Sequence, residues 1–322
     1  MNVATFLPHV GVFGGVRRYL ELGNAWVAGG HSVTLYHPSG EPPAWLDYRG
    51  RVAPLEAAAR EPSDLAFCSD SQTYAAFRAH AARRHVYYCV LEKDPGLAAV
   101  VRDPAVVLAA NSTPLRRALA ARSGRAVLDG AGGIDAARFT PDPSRRAAAP
   151  LRVMLNGRRS RPKKGTDLLL RALARVRDVP AFEIVLVDTP EPGGRDPREG
   201  APLPANARYV LGPSQAELVA LYQSAHVFLA AERKAGWCNT ALEAMACGAA
   251  VGCTRSGTTD FARNGDTALV MPFRHEWFAA RAARRLLGDA ALRERLGRAG
   301  RAEAERWTWT SLAARLLAQL AA

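Results

Sequence analysis

The sequence lacks the features that mark several large classes of protein. It has no run of 18 or more apolar residues, so we expect no membrane-spanning helix. Its first residues enter a short apolar stretch without a basic lead or a small-residue cleavage site, so we expect no secretory signal. The glycines and prolines follow no collagen-like period, and with 48% hydrophobic residues the chain is too apolar to be intrinsically disordered.

Cysteine is scarce and scattered along the chain. The five cysteines form no C-x-x-C pair and have no histidine at metal-ligand spacing. This odd, dispersed set predicts reduced thiols in a cytoplasmic protein and argues against a zinc site or a disulfide scaffold. We therefore expect no bound metal.

Negative charge is in the minority. The chain has 43 Lys and Arg against 30 Asp and Glu, which gives a formal net charge of +13. This balance is typical of proteins that bind polyanions, anionic small molecules or an acidic membrane surface, although a composition rich in arginine gives the same number without any function. Because no nucleic-acid-binding motif is recognisable, we do not expect a nucleic acid as the partner.

Short apolar runs alternate with helical patterns along the whole chain. The runs lack clean polar alternation, which is typical of parallel strands buried on both faces. A proline-rich polar break at 140–150 is the best linker candidate. The sequence therefore predicts an α/β protein with two doubly wound, Rossmann-like domains facing a central cleft. The predicted strands are 3–7, 33–36, 65–68, 86–90, 106–110, 126–128, 151–155, 184–187, 209–211, 227–230, 250–253 and 269–271.

The helical patterns lie between these strands and at the end of the chain. They predict helices over 15–29, 166–177, 215–224 with Ser214 as the cap, 240–246, 276–287, 290–306 and 310–321.

One segment, AGWCNTALEAMACG at 235–248, follows a predicted strand and opens a helix. Asn239 or Thr240 is a natural N-cap, and the backbone amides of such a helix start, together with the macrodipole, form an anion site. Glu243 then lies on the first turn, where its carboxylate is placed to accept hydrogen bonds from both hydroxyls of a ribose beside a bound diphosphate. A capping box from Thr240 to Glu243 explains the same residues equally well.

A second segment, NGRRSRPKKG at 156–165, follows the strand predicted at 151–155. Its glycine allows the backbone to approach a ligand, and its Arg and Lys side chains are suited to phosphate oxygens. A solvated basic loop is the alternative, but the place at the carboxyl end of a strand favours a binding function. A glycine turn at 11–18 is a weaker signal, because it is not a G-x-G-x-x-G motif.

Together these segments resemble the GT-B retaining glycosyltransferases of family 4 type, the glycosyltransferases group 1. The resemblance extends over nearly the whole chain. It is carried by GHSVTLY at 30–36, AVVLAANSTPLRRAL at 105–119, GGIDAARFTP at 132–141, NGRRSRPKKGTDLLLRAL at 156–173, NTALEAMACGAAVGCT at 239–254, SGTTDFARNGDTALVMP at 256–272 and WTWTSLAARLL at 307–317.

The resemblance implies a GT-B fold and an activity. It implies an N-terminal acceptor-side domain over 1–145, a nucleotide-sugar-binding domain over 150–306, and a C-terminal helix over 307–322 that packs back on the first domain. It further implies the transfer, with retention, of a hexose-like sugar from a UDP- or GDP-type donor to a hydroxyl of a lipid carrier, a glycan or a small molecule. No cofactor or metal is implied.

The resemblance also implies a role for individual residues. Lys164, Arg158 and Glu243 form the catalytic set: Lys164 and either Arg158 or Arg159 contact the donor diphosphate, and Glu243 holds the donor ribose. The amides of Asn239 and Thr240 bind the distal phosphate. The remaining implied donor-binding residues are Gly14, Gly15, Gly236, Trp237 and Cys238.

A cytoplasmic protein with peripheral contact to the inner face of the membrane is the localisation that the resemblance implies, because many relatives act on lipid carriers. The cations of the first domain that could face an anionic lipid surface are Arg17, Arg18, Arg116, Arg117, Arg122 and Arg125. No helix reads as an amphipathic anchor, so solvated faces are the default interpretation of these residues.

Two departures from the family pattern affect the expected activity. The family motif Glu-x7-Glu places a carboxylate at position 235, where this chain has Ala235, and Glu232 replaces it only if the loop shifts. The stretch at 87–96 lacks the family histidine. Glu92 or Lys93 could face the cleft there, although a solvated loop charge explains each of them better. His9 is the histidine nearest the expected site, but a polar loop role fits it better than a catalytic one. Two alternatives therefore stay open: a catalytically weak nucleotide-sugar-binding protein and a GT-B sugar-nucleotide epimerase. Because no carboxylate stands out near the sugar, we expect retention by same-face attack.

Overall fold

The computed structural model describes residues 1–90, 95–146, 150–190 and 202–321. The chain divides into two compact units, one formed by Met1–Gly133 with Trp307–Ala322 and the other by Ile134–Arg306. Each unit is built on a parallel sheet with helices, so the predicted fold class, two Rossmann-like α/β domains, is confirmed. The boundary after Gly133 lies earlier in the chain than the linker predicted at 140–150.

The first unit contains, over its described residues, a seven-stranded sheet. Its strands are β1 (Asn2–Phe6), β2 (Ser32–His37), β3 (Arg51–Pro54), β4 (Ser63–Cys68), β5 (Ala82–Cys89), β6 (Val106–Ala110) and β7 (Val127–Asp129). The helices between these strands are α1 (Gly14–Ala28), α2 (Tyr74–Ala79), α3 (Leu97–Arg102) and α4 (Thr113–Ser123). All neighbouring strands are parallel, in the order β3-β2-β1-β4-β5-β6-β7.

The strands of this sheet are buried on both faces. In β1, Val3 belongs to one apolar cluster, whereas Ala4 and Phe6 belong to the cluster on the opposite face. This double burial explains why the sequence shows apolar runs rather than alternation. Strand β3 is absent from the predicted strands because it is only four residues long and ends at Pro54, which breaks the apolar signal.

The second unit contains, over its described residues, a six-stranded sheet. Its strands are β8 (Leu151–Asn156), β9 (Phe182–Asp188), β10 (Ala207–Leu211), β11 (Val227–Ala230), β12 (Ala250–Cys253) and β13 (Leu269–Val270), and its helices are α5 (Thr166–Leu173), α6 (Gln215–Ser224), α7 (Asn239–Ala246), α8 (Glu276–Gly288) and α9 (Ala290–Ala304). The parallel order is β10-β9-β8-β11-β12-β13. The direction of winding reverses between β8 and β11, and ligands of such sheets bind outside the carboxyl ends of the strands at that point.

Two helix ends show where sequence patterns succeed and where they do not. Ser214 caps α6 as predicted: its hydroxyl accepts from the Glu217 amide and the Glu217 carboxylate accepts from the Ser214 amide. Helix α5 ends at Leu173 rather than at the predicted residue 177. The apolar spacing continues to Val176 because that side chain packs in the core from tightened turns beyond the helix, where the Val176 amide donates to the Leu173 carbonyl.

The last helix, α10 (Trp309–Ala321), belongs to the first unit. Its buried face includes Leu312 and Leu316. The indole of Trp26 on α1 donates to the carbonyl of Ala313 over 3.4 Å. At its far end, Gln319 pairs with the last residue of β7, since its side-chain amide donates to the Asp129 carbonyl and its oxygen accepts from the Asp129 amide.

A buried arginine connects α1 to this C-terminal segment within the first unit. Arg18 is 2% exposed, donates to the Tyr88 hydroxyl over 2.8 Å and to the Gly132 carbonyl over 2.6 Å, and lies over the ring of Trp309. The expectation that Arg18 faces a lipid surface is therefore wrong. Arg125 is half-buried, and its guanidinium donates to backbone carbonyls at the α3–β6 connection.

Membrane crossing finds no support in the helices of the described residues. None of them combines the length and the hydropathy that a bilayer span needs.

We predict that Gly133 is indispensable for the packing of the C-terminal segment. Its φ is +108°, and an added Cβ would lie 2.1 Å from the Trp309 ring. Gly133→Ala combines backbone strain with overpacking, so we expect a loss of about 3 kcal/mol, or a fall of roughly 10 °C in melting temperature. Gly30→Ala is the control, because Gly30 also has a positive φ but meets nothing within 4 Å. It should lose about 1 kcal/mol. Equal melting temperatures for the two variants would show that the packing of the C-terminal segment does not require glycine at position 133.

Candidate anion-binding site of the second unit

Two loops meet at the carboxyl edge of the second sheet, where the winding reverses. The loop after β8 contains a short 3-10 turn, Pro162–Lys164, and the loop after β11 begins at Ala231. Gly165 has φ +78°, and an added Cβ would lie 2.4 Å from the carbonyl oxygen of Ala231. Since only glycine permits this approach, the two loops lie backbone against backbone.

Further hydrogen bonds fix the same contact. The amide of Arg233 donates to the carbonyl of Lys163 over 2.8 Å. The guanidinium of Arg274 joins both loops, because it donates to the Ala231 carbonyl over 2.7 Å and to the Pro162 carbonyl over 2.6 Å. The loop positions are therefore set by backbone groups, and the side chains that they carry are held in register.

Lys164 and Glu232 meet across this contact. The Lys164 Nζ donates to Glu232 Oε1 over 2.7 Å, with the lysine side chain 31% exposed and the glutamate side chain 12% exposed. The same Glu232 oxygen lies 3.8 Å from the Sγ of Cys238 at the start of α7. Lys164 is thus close to the helix start, as expected, but the carboxylate beside it was not anticipated from the sequence.

The start of α7 differs from the predicted one. The N-cap is Cys238, and Asn239 and Thr240 are the first two residues inside the helix. The Cys238 amide donates to the Gly257 carbonyl over 2.8 Å, and this tertiary contact sets where the helix begins. The predicted N-cap role of Asn239 or Thr240 is therefore wrong, and so is the capping box, because Glu243 is the fifth helical residue.

The first turn of α7 presents groups that suit a polar ligand. The amides of Asn239 and Thr240 have no acceptor within the helix, as at any helix N-terminus, and they carry the positive end of the macrodipole. The Oδ1 atom of Asn239 is buried and, among the described residues, has no hydrogen-bond donor. A buried acceptor of this kind is costly unless a ligand supplies the missing donor.

Glu243 lies one turn further into α7, buried at 5% exposure. Its carboxylate is hydrogen-bonded to the Tyr222 hydroxyl, which also accepts from the Asn156 side chain over 2.8 Å. Burial, and then the Glu243 charge, raise the pKa of Tyr222 well above its usual value, so the phenol remains a proton donor. Tyr222 and Asn156 are thus the groups that orient Glu243, and neither stood out in the sequence.

The two adjacent arginines after β8 have different environments. Arg159 is 8% exposed; its Nε donates to Asp167 over 3.1 Å and its amide donates to the buried Asp188 over 3.3 Å. Arg158 is half-buried. Gly157, between β8 and these arginines, packs closely inside the loop, since an added Cβ would lie 3.1 Å from the hydroxyl of Thr166.

The segment before α7 is mostly turned inward. Ala235 is half-buried, and its amide donates to the Ser256 hydroxyl over 2.8 Å. The ring of Trp237 is 8% exposed and lies 5.0 Å from that of Phe261. Gly236, between Ala235 and Trp237 in the sequence, is half-buried. Any contact of Trp237 with a ligand would therefore use its backbone.

The first unit carries the glycines that were expected at a ligand. Gly14 is the first residue of α1 and is exposed, whereas Gly15 is half-buried near Val90. Asn111, directly after β6, donates to the Val90 carbonyl over 3.2 Å, and its buried Oδ1 has no donor among the described residues. Asn111 was missed because a single polar residue after a strand carries no distinctive pattern.

The other candidate residues of the first unit either make local contacts or lie outside the described residues. The Nδ1 of His9 accepts from the amide of Gly11 over 3.1 Å, and its ring lies against Phe13. Glu92 and Lys93 lie outside the described residues. Within the described ranges, no three His, Cys, Asp or Glu side chains come together as metal ligands.

The family model described as Glycosyl transferases group 1 matches residues 143–303, which is half of the chain and includes the site described above. No curated protein sequence matches the chain significantly.

Solved structures with similar folds cover the chain nearly completely. A sucrose-phosphate synthase from Thermosynechococcus elongatus is 19% identical, with 99% of this chain and 98% of that chain covered and a TM-score of 0.79. HepE from Anabaena, in complex with UDP and glucose, is 16% identical, with coverage of 100% and 99% and a TM-score of 0.79. A lipopolysaccharide outer core galactosyltransferase, WaaB, is 13% identical, with 99% of both chains covered and a TM-score of 0.74. At these identities the similarity establishes the GT-B fold.

We predict that the thiol at the start of α7 is unreactive in the native protein. All five cysteines are buried, and none of them forms a disulfide. Burial raises the pKa of Cys68, Cys247 and Cys253 to about 12, and burial followed by the Glu232 charge raises that of Cys238 as well. Because the thiolate is the reactive form, its population at pH 8 is very small.

The measurement is titration with Ellman's reagent at pH 8. We expect no rapid reaction in the native state and five reacting thiols after guanidinium unfolding. One fast native thiol that disappears in Cys238→Ala would show that the amide dipoles at the helix start outweigh burial and the neighbouring carboxylate.

Proposed function

Because the chain belongs to the Glycosyl transferases group 1 family, we propose that it moves a hexose-like sugar from a nucleoside diphosphate donor to a hydroxyl acceptor. The observation that carries this proposal is the convergence of Lys164 with the N-terminus of α7 at the carboxyl edge of the second sheet. An ammonium and a helix N-terminus side by side favour a phosphate group over a neutral ligand.

In this proposal the donor lies along the switch point of the second sheet. Lys164 and Arg158 contact the diphosphate, and the amides of Asn239 and Thr240 bind its distal phosphate. Arg159, which is buried against Asp167, is left to stabilise the loop. The Oδ1 atom of Asn239 would accept from a hydroxyl group, which a sugar offers and a phosphate does not.

Glu243 is proposed to hold the donor ribose. Its buried carboxylate is oriented by the Tyr222 phenol, so that it can accept the two ribose hydroxyls without a change of its own position. UDP is the first base to test, since HepE was solved with UDP and glucose, and GDP is the second.

The chemistry follows from these groups. When the bond between the sugar and the diphosphate breaks, negative charge grows on the leaving phosphate, and preorganised cations and amides stabilise that charge. Lys164, Arg158 and the α7 amides would supply this stabilisation without a cofactor or a metal. Retention would arise by attack of the acceptor hydroxyl on the same face, without a covalent enzyme intermediate. The bond from the sugar to the diphosphate breaks as the bond to the acceptor oxygen forms, and the hydroxyl proton goes to the departing phosphate oxygen.

A second candidate function rests on Ala235. Its methyl group cannot accept a hydrogen bond from a hydroxyl of the transferred sugar, as a carboxylate would. Its backbone amide donates to the Ser256 hydroxyl, which holds the backbone in place. The chain would then be a nucleotide-sugar-binding protein with weak catalysis.

We propose the first unit as the acceptor side, with the buried Asn111 Oδ1 as a candidate contact for an acceptor hydroxyl. Of the six arginines considered for a lipid surface, Arg117 and Arg122 on α4 are exposed and suit peripheral membrane contact if the acceptor is lipid-linked. Five cysteines without a disulfide among them fit the reducing cytoplasm, where we propose that the protein acts.

Lys164→Ala tests the donor site. We expect the dissociation constant of the preferred nucleoside diphosphate to rise roughly 30-fold, because a charge-assisted contact is lost and Glu232 remains unpaired. The preferred base is first identified by thermal shift with UDP, GDP, ADP and TDP, since a ligand of the folded state raises the melting temperature. Lys163→Ala is the matched control: its side chain is exposed and its backbone bond to Arg233 is retained. If the two variants bind the nucleoside diphosphate with equal affinity, Lys164 does not contact the donor.

Turnover separates the two candidate functions. With UDP-glucose and water as the acceptor, a retaining enzyme releases the α anomer of glucose first, which proton NMR detects before mutarotation. We expect this anomer and no glycosyl-enzyme adduct in the intact mass. Initial release of β-glucose, or a trapped adduct, would contradict retention by same-face attack, and binding without any release would favour the non-catalytic alternative.

A further inference from the structure

Glu232 occupies the point where the two anion-binding groups of the site converge. Its Oε1 is 2.7 Å from the Lys164 ammonium and 3.8 Å from the Sγ of Cys238, the N-cap of α7. The side chain is only 12% exposed. A carboxylate between a cation and a helix N-terminus has the charge and the acceptor oxygens that a phosphate would bring to the same place.

The backbone beneath this carboxylate is fixed. The carbonyl of Glu232 accepts from the Thr254 hydroxyl over 2.9 Å, and the residues on either side, Ala231 and Arg233, bond to Arg274 and Lys163. The loop therefore cannot carry Glu232 away as a whole. The side chain can leave by rotation about its own bonds, because Lys164 and Glu232 meet through flexible stems.

We propose that Glu232 is a built-in counterion of the donor site: it pairs with Lys164 when no donor is bound and releases this lysine to the diphosphate when the donor arrives. This inference rests on the proposed function, since it assumes that an anionic donor uses Lys164. Glu232 is a positioning residue here, acting on the donor through Lys164.

The exchange has two energetic consequences. An arriving diphosphate must break an ion pair and remain close to a displaced carboxylate, so Glu232 lowers the affinity of the site. For the same reason it speeds the departure of the nucleoside diphosphate product, a step that limits turnover in many enzymes. Until a donor displaces it, Glu232 holds the partly buried ammonium in place without an unpaired charge.

The test compares Glu232→Gln with the wild-type protein by calorimetric titration with UDP, GDP, ADP and TDP. The substitution keeps the shape of the side chain and removes its charge. We expect the dissociation constant of the preferred nucleotide to fall roughly five- to twenty-fold, with a slower dissociation rate in stopped-flow displacement.

Glu183→Gln is the matched control. Glu183, like Glu232, forms an ion pair: its partner is Arg208, at 3.5 Å. It lies at the amino-terminal end of β9, away from the carboxyl edge of the sheet where the proposed site lies. The same loss of charge there should change the affinity by less than about twofold. Glu232→Asp, which keeps the charge, should stay within about threefold of the wild type. In the Lys164→Ala background, the gain from Glu232→Gln should shrink, because its Lys164-dependent part is gone.

The outcomes separate this inference from the proposed function. Tighter binding by Glu232→Gln, including binding that appears only in this variant, supports both. If the wild type binds a nucleotide and Glu232→Gln binds it equally or more weakly, the counterion role is overturned and the donor site stands. If neither protein binds any of the four nucleotides, the donor site itself is overturned. Glu232→Ala replaces the glutamine variant if the latter does not fold, with the same expected direction.

Discussion

The backbone contact between Gly165 and Ala231 is the constraint on which the arrangement of polar groups in the second unit depends. Because residue 165 has no side chain and a positive φ, the loop after β8 reaches the loop after β11 at a distance that no other residue would allow. This contact brings Lys164 to Glu232, and Glu232 in turn touches the start of α7. A cation on one loop and a helix N-terminus behind the other are thereby brought together at the switch point of the sheet, where we propose that the donor binds.

Much of the architecture could be predicted from local pattern. Buried parallel strands give unmistakable apolar runs, and the six strands of the second sheet lie where these runs are. The exceptions have physical causes: β3 is short and ends in proline, and α5 ends early although Val176 keeps the apolar spacing. The start of α7 could not be read from side-chain capping preferences, because a tertiary hydrogen bond from the Cys238 amide to Gly257 fixes it.

The site itself was only partly predictable. The family resemblance implies roles for Lys164 and Asn239, but it leaves the choice between Arg158 and Arg159 open, because the segment has one extra residue before Lys164. From the sequence, Glu232 is only a substitute for the carboxylate missing at position 235, because it stands three residues too early. The fold instead places its carboxylate beside Lys164. Tyr222, which orients Glu243, comes from a helix distant in sequence and leaves no local trace.

A crystal structure of the protein with its preferred nucleoside diphosphate tests the central claim most directly. We expect the diphosphate within hydrogen-bond distance of the Lys164 Nζ and of the amides of Asn239 and Thr240, with the Glu232 carboxylate rotated away from Lys164. A nucleotide bound elsewhere, with Lys164 still paired to Glu232 and the start of α7 in contact with no phosphate, would contradict it.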